Sequence, residues 1–231
     1  MALDSVLVLG DSFSTTLNPV RATVANSGQA PTILGRVGFP QLTLAQARAA
    51  APGKRLVVLA TLTGAPSSFS DSTAHLRDAS GNLRVTRIVA TAGGPFIPGD
   101  IVRVLGHAAS RGGQPVLDST RVALAGLGTG APVPDTLTTA EAAGARAGAL
   151  DAGLVYIQDA EVLTAVGQNG DVVVTVDDGS GPVEMRIDKI LQATPSLFFP
   201  GDSVKASGVL VSTGAGSWEL RLRSAQDLTI F

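Results

Sequence analysis

The chain has 231 residues, 45% hydrophobic and 16% charged, with a formal net charge of −2, a length that suits one or two domains with sizeable cores. The near-neutral balance carries no basic footprint for a polyanion, and the absence of Cys with only two His excludes disulfides, thiolate metal sites and a His-rich metal centre. No apolar run approaches the roughly 18 residues of a membrane helix, so the chain is expected to carry no transmembrane segment of its own.

Residues 1–41 match no regular pattern and are read as an extended N-terminal arm. Pro19, Pro31 and Pro40 and four glycines interrupt them, and their charges are limited to Asp4, Asp11, Arg21 and Arg36. The apolar residues Val6, Leu7, Val8, Leu9, Phe13, Ile33 and Leu34 need a surface to bury against. An extended apolar segment can add a strand to a neighbour or fill its groove, so these seven are the candidate partner-binding residues. The stretch from Ser5 to Gly10 is too short for a signal-peptide core and lacks a basic flank. It leaves the compartment open between cytoplasmic and extracytoplasmic or membrane-associated.

The run from Ser5 through Gly10-Asp11-Ser12-Phe13 resembles the first block of GDSL-type esterases, in which an apolar strand delivers a nucleophilic serine. That resemblance implies Ser12 as the nucleophile, with a base in reach and a group to orient it. The family supplies these from an Asp-x-x-His block near its C-terminus. This chain has no His after His107, and Asp71 to His75 has the wrong spacing. Ser12 is therefore expected to be an ordinary alcohol in a turn, and no catalytic residue is assigned.

From residue 42 onward the chain repeats itself. Leu42 to Ala47 answers Leu137 to Ala142, Asp78-Ala79-Ser80-Gly81 answers Asp178-Gly179-Ser180-Gly181, and Phe96 to Asp100 answers Phe198 to Asp202. The offsets are 95, 100 and 102 residues, and Gly106 and Gly208 follow the last block at equal distance. Each unit opens on a capping box, Thr43 with Gln46 and Thr138 with Glu141, followed by alanines of high helix propensity. Alternation then predicts strands near 54–62, 72–77, 82–89, 101–108 and 116–124. In the second unit they fall near 153–164, 171–176, 183–188, 203–211 and 217–230, with a break near Ser224. The Asp-x-Ser-Gly and Pro-Gly-Asp segments are turns. The expected fold is all-β: two tandem five-stranded OB-type barrels, each preceded by a short helix, behind the arm. The divisions are 1–41 (arm), 42–126 (barrel 1), 127–136 (linker) and 137–231 (barrel 2).

The blocks Arg77-Asp-Ala-Ser-Gly-Asn-Leu-Arg-Val85 and Phe96-Ile-Pro-Gly-Asp100, with their second copies, resemble bacterial OB-fold domains found alone, in tandem or attached to secreted nucleases. The resemblance covers 42–231 and implies a binding or scaffolding module. A single strand needs stacking aromatics beside a basic groove. Strands two and three of both units hold no aromatic residue, and Arg84 and Arg87, three apart, should point to opposite faces of a regular strand. His75 and His107 are read as ordinary surface or strand residues, and no cofactor or metal is expected. The expectation is a non-catalytic structural subunit. It would hold other proteins of a larger assembly through its arm, such as a membrane-extrinsic subunit of a bacterial, for example photosynthetic, membrane complex. The alternative is a nucleic-acid- or oligosaccharide-binding OB protein.

Overall fold

The computed structural model describes residue 39 and residues 41–128, 130–214 and 216–231, and the backbone alone of 18–22 and 32–37. Asn18–Ala22 (β1) and Thr32–Val37 (β2) pair antiparallel, with an irregularity between Val20 and Arg21. Within the arm, these two strands satisfy part of each other's backbone hydrogen bonding. Ile33 and Leu34 lie on β2, whereas Val6, Leu7, Val8, Leu9, Ser12 and Phe13 lie outside the described residues.

The first sheet is built from Gln41–Leu42 (β3), Arg55–Gly64 (β4), Ala74–Asp78 (β5), Gly81–Val85 (β6), Ile88–Ala92 (β7), Ile101–Arg111 (β8) and Gln114–Gly126 (β9). Leu44–Arg48 (α1) stands between β3 and β4. The second is built from Asp135–Leu137 (β10), Leu154–Gln168 (β11), Asp171–Asp177 (β12), Val183–Ile187 (β13), Ser203–Gly214 (β14), Ser217–Arg221 (β15) and Leu228–Ile230 (β16). Thr139–Gly144 (α2) stands between β10 and β11. In the first sheet the hydrogen-bonded neighbours run β4-β5-β6-β9-β8 and return to β4. In the second they run β11-β12-β13-β15-β14 and return to β11. The OB type fits this pairing, including the parallel contacts β6 with β9 and β13 with β15.

Each ring encloses its own core. Leu56, Val58, Leu62, Leu76, Leu83, Val104 and Phe96 fill the first. Val155, Ile157, Val174, Met185, Leu210, Leu220 and Phe198 fill the second. Phe96 and Phe198 occupy matching places just before matching turns. Leu62 N–H donates to Asp100 O and Val162 N–H to Asp202 O, at 2.8 Å in both units. Gly106 and Gly208 lie where two strands approach too closely for a side chain. A Cβ at Gly208 would stand 2.6 Å from the Arg221 carbonyl oxygen, and one at Gly106 would stand 2.6 Å from the Thr120 methyl.

Both capping boxes form. Gln46 N–H donates to Thr43 Oγ1 and Thr43 N–H to Gln46 Oε1, and Thr138 and Glu141 repeat the exchange. The Asp-x-Ser-Gly turns do more than reverse the chain. Asp78 Oδ2 accepts from Leu44 N–H at 2.8 Å and Ser80 Oγ from Ala45 N–H at 2.9 Å. Asp178 and Ser180 serve Thr139 and Ala140 in the same way. Each turn thus caps the helix that opens its own unit. The strand expected at 82–89 is divided, because Arg87 adopts φ +46° between β6 and β7. The last strand breaks at a 3₁₀ turn over Ala225–Asp227.

Candidate functional site

The two units meet over the outer face of β5 and β6. On these strands Ala74, Leu76, Leu83 and Val85 point into the first core. His75 pairs across with Arg84, and Arg77 with Asn82, on the opposite face. Part of that face is covered as well: His75 is fully buried and Asn82 is 6% exposed, whereas Arg77 and Arg84 are half-buried. Phe69 sits with Leu154, Val209 and Val211 of the second unit in a separate apolar cluster. Phe69 also packs edge-on against His75, with ring centroids 5.2 Å apart, and carries the Arg221 guanidinium over its ring at 4.7 Å. The reading of His75 as an ordinary surface or strand residue is corrected here, because the second unit covers its strand. His107 is exposed.

Polar groups lock the same seam. Arg221 donates to Asp71 at 2.8 Å and to the fully buried Asp188 at 2.6 Å. Ser70 donates to Asp188 through both its amide and its hydroxyl. Arg48 pairs with Asp151 at 3.4 Å, and Trp218 Nε1–H donates to Asp151 at 2.9 Å. Arg223 donates to the Thr63 carbonyl, Ser212 to the Gly112 carbonyl at the hairpin tip, and Arg77 to Asp135 and the Val133 carbonyl of the linker. Burial opposes ionisation of Asp71 and Asp188, but the Arg221 hydrogen bonds outweigh it, and both carboxyls lie below the usual range. His75 is pushed well below 6.5, first by burial and then by Arg84 and Arg221, against the smaller opposing pull of Asp71. Both its ring nitrogens lack a hydrogen-bond partner.

The two units also carry opposite net charge. Residues 42–126 hold nine Lys/Arg against four Asp/Glu, net +5, whereas 137–231 hold six against twelve, net −6. The overall −2 conceals this separation, which a charge count made unit by unit exposes.

At the edge of the seam a recess of about 190 Å³ is lined by Asp71, Thr73, Arg84, Thr86, Arg87 and Arg111. Arg84 and Arg87 do converge, against the expectation of opposite faces. The positive φ of Arg87 breaks the alternation that a regular strand would impose. Arg87 Nε donates to Asp118 Oδ1 at 2.7 Å and its Nη2 to Oδ2. Arg111 stands 3.6 Å from the same carboxylate. The Arg87 hydrogen bonds are the main reason that the Asp118 carboxyl is lowered to about 2.

The corresponding outer face of β12 and β13 is different. It presents Thr175, Glu184 and Arg186, with Arg186 held between Asp171 and Glu219. Neither outer face carries an aromatic platform. Of the repeated turn residues, Phe96 and Phe198 are buried while Phe199 is 65% exposed. Leu197, Ile190, Val166 and Leu163 are also exposed, and the 3₁₀ turn Pro195–Leu197 packs on β11 and β12. Among the described residues no group of three or more His, Asp or Glu is placed to hold a metal ion, and no helix is long and apolar enough to cross a membrane.

No protein-family model matches the chain, and no curated protein does. Solved structures that it resembles include the S. pombe Stn1–Ten1 complex, with 24% identity over 34% of this chain and 57% of that one and a TM-score of 0.28. Another is a murine DNA-binding protein bound to double-stranded DNA, with 12% identity over 76% and 95% and a TM-score of 0.37. A third is asparaginyl-tRNA synthetase from Pyrococcus horikoshii, with 18% identity over 36% and 20% and a TM-score of 0.30. The chain spans just over half the length of the first and a fifth of the last. At such scores the pairing order of the strands, not these likenesses, carries the fold.

Proposed function

We propose that the chain is a tandem pair of OB barrels, divided as the repeat divides it, acting as a non-catalytic subunit that binds other proteins. The observation that carries this reading is that the second unit covers the centre of the β5–β6 face, over His75 and Asn82. That face is the broad sheet surface of the basic unit, and its partner there is already supplied within the chain. The equivalent face of the second unit is acidic and repels phosphates. Among the described residues Leu197, Phe199, Ile190 and Val166 are exposed apolar side chains, and the sequence offers Val6, Leu7, Val8, Leu9, Phe13, Ile33 and Leu34 of the arm as further partner-binding residues. Buried carboxylates at the seam hold arginines and so serve architecture. The partner would be another subunit of an assembly, a membrane-extrinsic setting being one that suits such a clamp.

The test compares full-length chain, a deletion of 1–40 and the double variant Leu197→Ser/Phe199→Ser in their native cells, with cross-linking and mass spectrometry. The expected result is that both altered proteins stay folded and lose the same cross-linked partners. Unchanged partners in unchanged amounts would remove the reading. The +5 charge of the first unit favours a second reading, nucleic-acid binding, in keeping with the DNA that the murine neighbour holds. It requires tight, salt-sensitive binding of single strands.

A further inference from the structure

We propose that the recess formed by Arg84, Arg87 and Arg111 is a binding site for a doubly charged tetrahedral oxyanion of the phosphate class, free or at the end of a larger ligand. The site goes beyond the protein-binding role and does not depend on it. Its geometry has three parts. Three guanidinium groups line one recess of about 190 Å³, room for a phosphate group and part of what it is attached to. The two carboxylates nearby are already engaged. Asp118 is held by Arg87, by Thr86 Oγ1 at 2.9 Å and by Arg111 at 3.6 Å, and Asp71 by Arg221 and Thr73. Arg84 is the unbalanced group: it is half-buried, and among the described residues no carboxylate lies within bonding distance of it.

A half-buried cation without a counter-ion is costly, and this one is crowded further. Burial depresses the basicity of Arg84 most. Asp151 and Asp71 draw it back at longer range, while Arg111 and Arg221 add repulsion. A dianion between Arg84 and Arg111 relieves both burdens. The planar guanidinium fork matches phosphate oxygens two at a time. The positive φ of Arg87 contributes by turning a third fork to the rim. Arg111, beside the hairpin tip Gly112-Gly113, is 45% exposed, so the recess is open to solution.

Calorimetric titration of the full chain with inorganic phosphate, at pH 7 and against chloride of matched ionic strength, tests the site. Saturable phosphate binding is expected, weakened about tenfold or more in Arg84→Gln and in Arg111→Gln, and unchanged in Arg55→Gln outside the recess. Arg111→Gln changes an exposed side chain at a hairpin end, so it tests the site even if Arg84→Gln unfolds. Trinucleotides with and without a 5′-phosphate distinguish the source. Binding of phosphate together with the 5′-phosphorylated form assigns a polymer end, and binding of phosphate alone assigns a free anion. The proposal is overturned if phosphate behaves as chloride does, if Arg111→Gln binds it unchanged, or if the 5′-hydroxyl form binds while phosphate does not.

Discussion

His75 shows how a single side chain can be placed at a cost. Its ring is fully buried against Phe69, with neither nitrogen bonded. Burial holds its folded pKa well below the ordinary histidine value of 6.5, so the unfolded chain takes up the proton first as pH falls. The stability of the neutral folded form is therefore complete above about pH 6.5 and is lost below it. His75→Leu should raise stability at pH 5 by about 1 kcal/mol, by removing unpaired polar atoms, and should flatten the slope between pH 5 and 6.5. Urea melts across that range measure both, and an unchanged slope would show that another group titrates. Gly208 is the opposite case, a residue whose absent side chain is the point. Gly208→Ala places a Cβ against the Arg221 backbone carbonyl, which cannot rotate away. A loss of about 1–3 kcal/mol is expected, read as a lower denaturation midpoint at unchanged slope.

Among the elements, the two opening helices are short, five and six residues, and cannot be stable alone. They form because each is capped twice, by its own Thr and by the Asp-x-Ser-Gly turn of its unit. Asp178 is held at about 2, because hydrogen bonds from Ser180 and Thr139 outweigh its desolvation. The stability it gives is complete above the ordinary Asp value of 3.8 and disappears as pH falls toward 2. Asp178→Ala should cost about 1 kcal/mol and shift the α2 amides in NMR spectra, with Asp78→Ala doing the same to α1. The turns, strands and capping boxes were legible because they depend on local chemistry repeated twice. The break at Arg87 was not, since nothing local marks a left-handed arginine. It depends on the Asp118 carboxylate, which arrives from β9, 31 residues later. The burial of His75 was hidden for the same reason, because the surface that covers it begins more than 70 residues further along the chain.

For the whole molecule, a unit of net charge +5 meets one of −6 across a seam of ion pairs with a small apolar centre, Phe69 against Leu154, Val209 and Val211. Arg221 bridges them. Arg221→Met leaves Asp188 buried without its cation, a change of about 3–5 kcal/mol in comparable buried pairs. Calorimetry should then show two separate transitions where the parent chain shows one. A single transition in the variant would mean that the two units are coupled by other contacts. The functional account rests on the same seam, since the sheet face of the basic unit is closed to a nucleic-acid strand only while the acidic unit covers it. The most direct measurement is fluorescence anisotropy of labelled 5′-hydroxyl single-stranded oligonucleotides, titrated with the full chain at about 0.15 M salt. The account predicts binding no tighter than the non-specific range, with Kd of roughly 10 μM or weaker. A nanomolar complex that weakens steeply with added salt would contradict it and make the chain a nucleic-acid-binding protein.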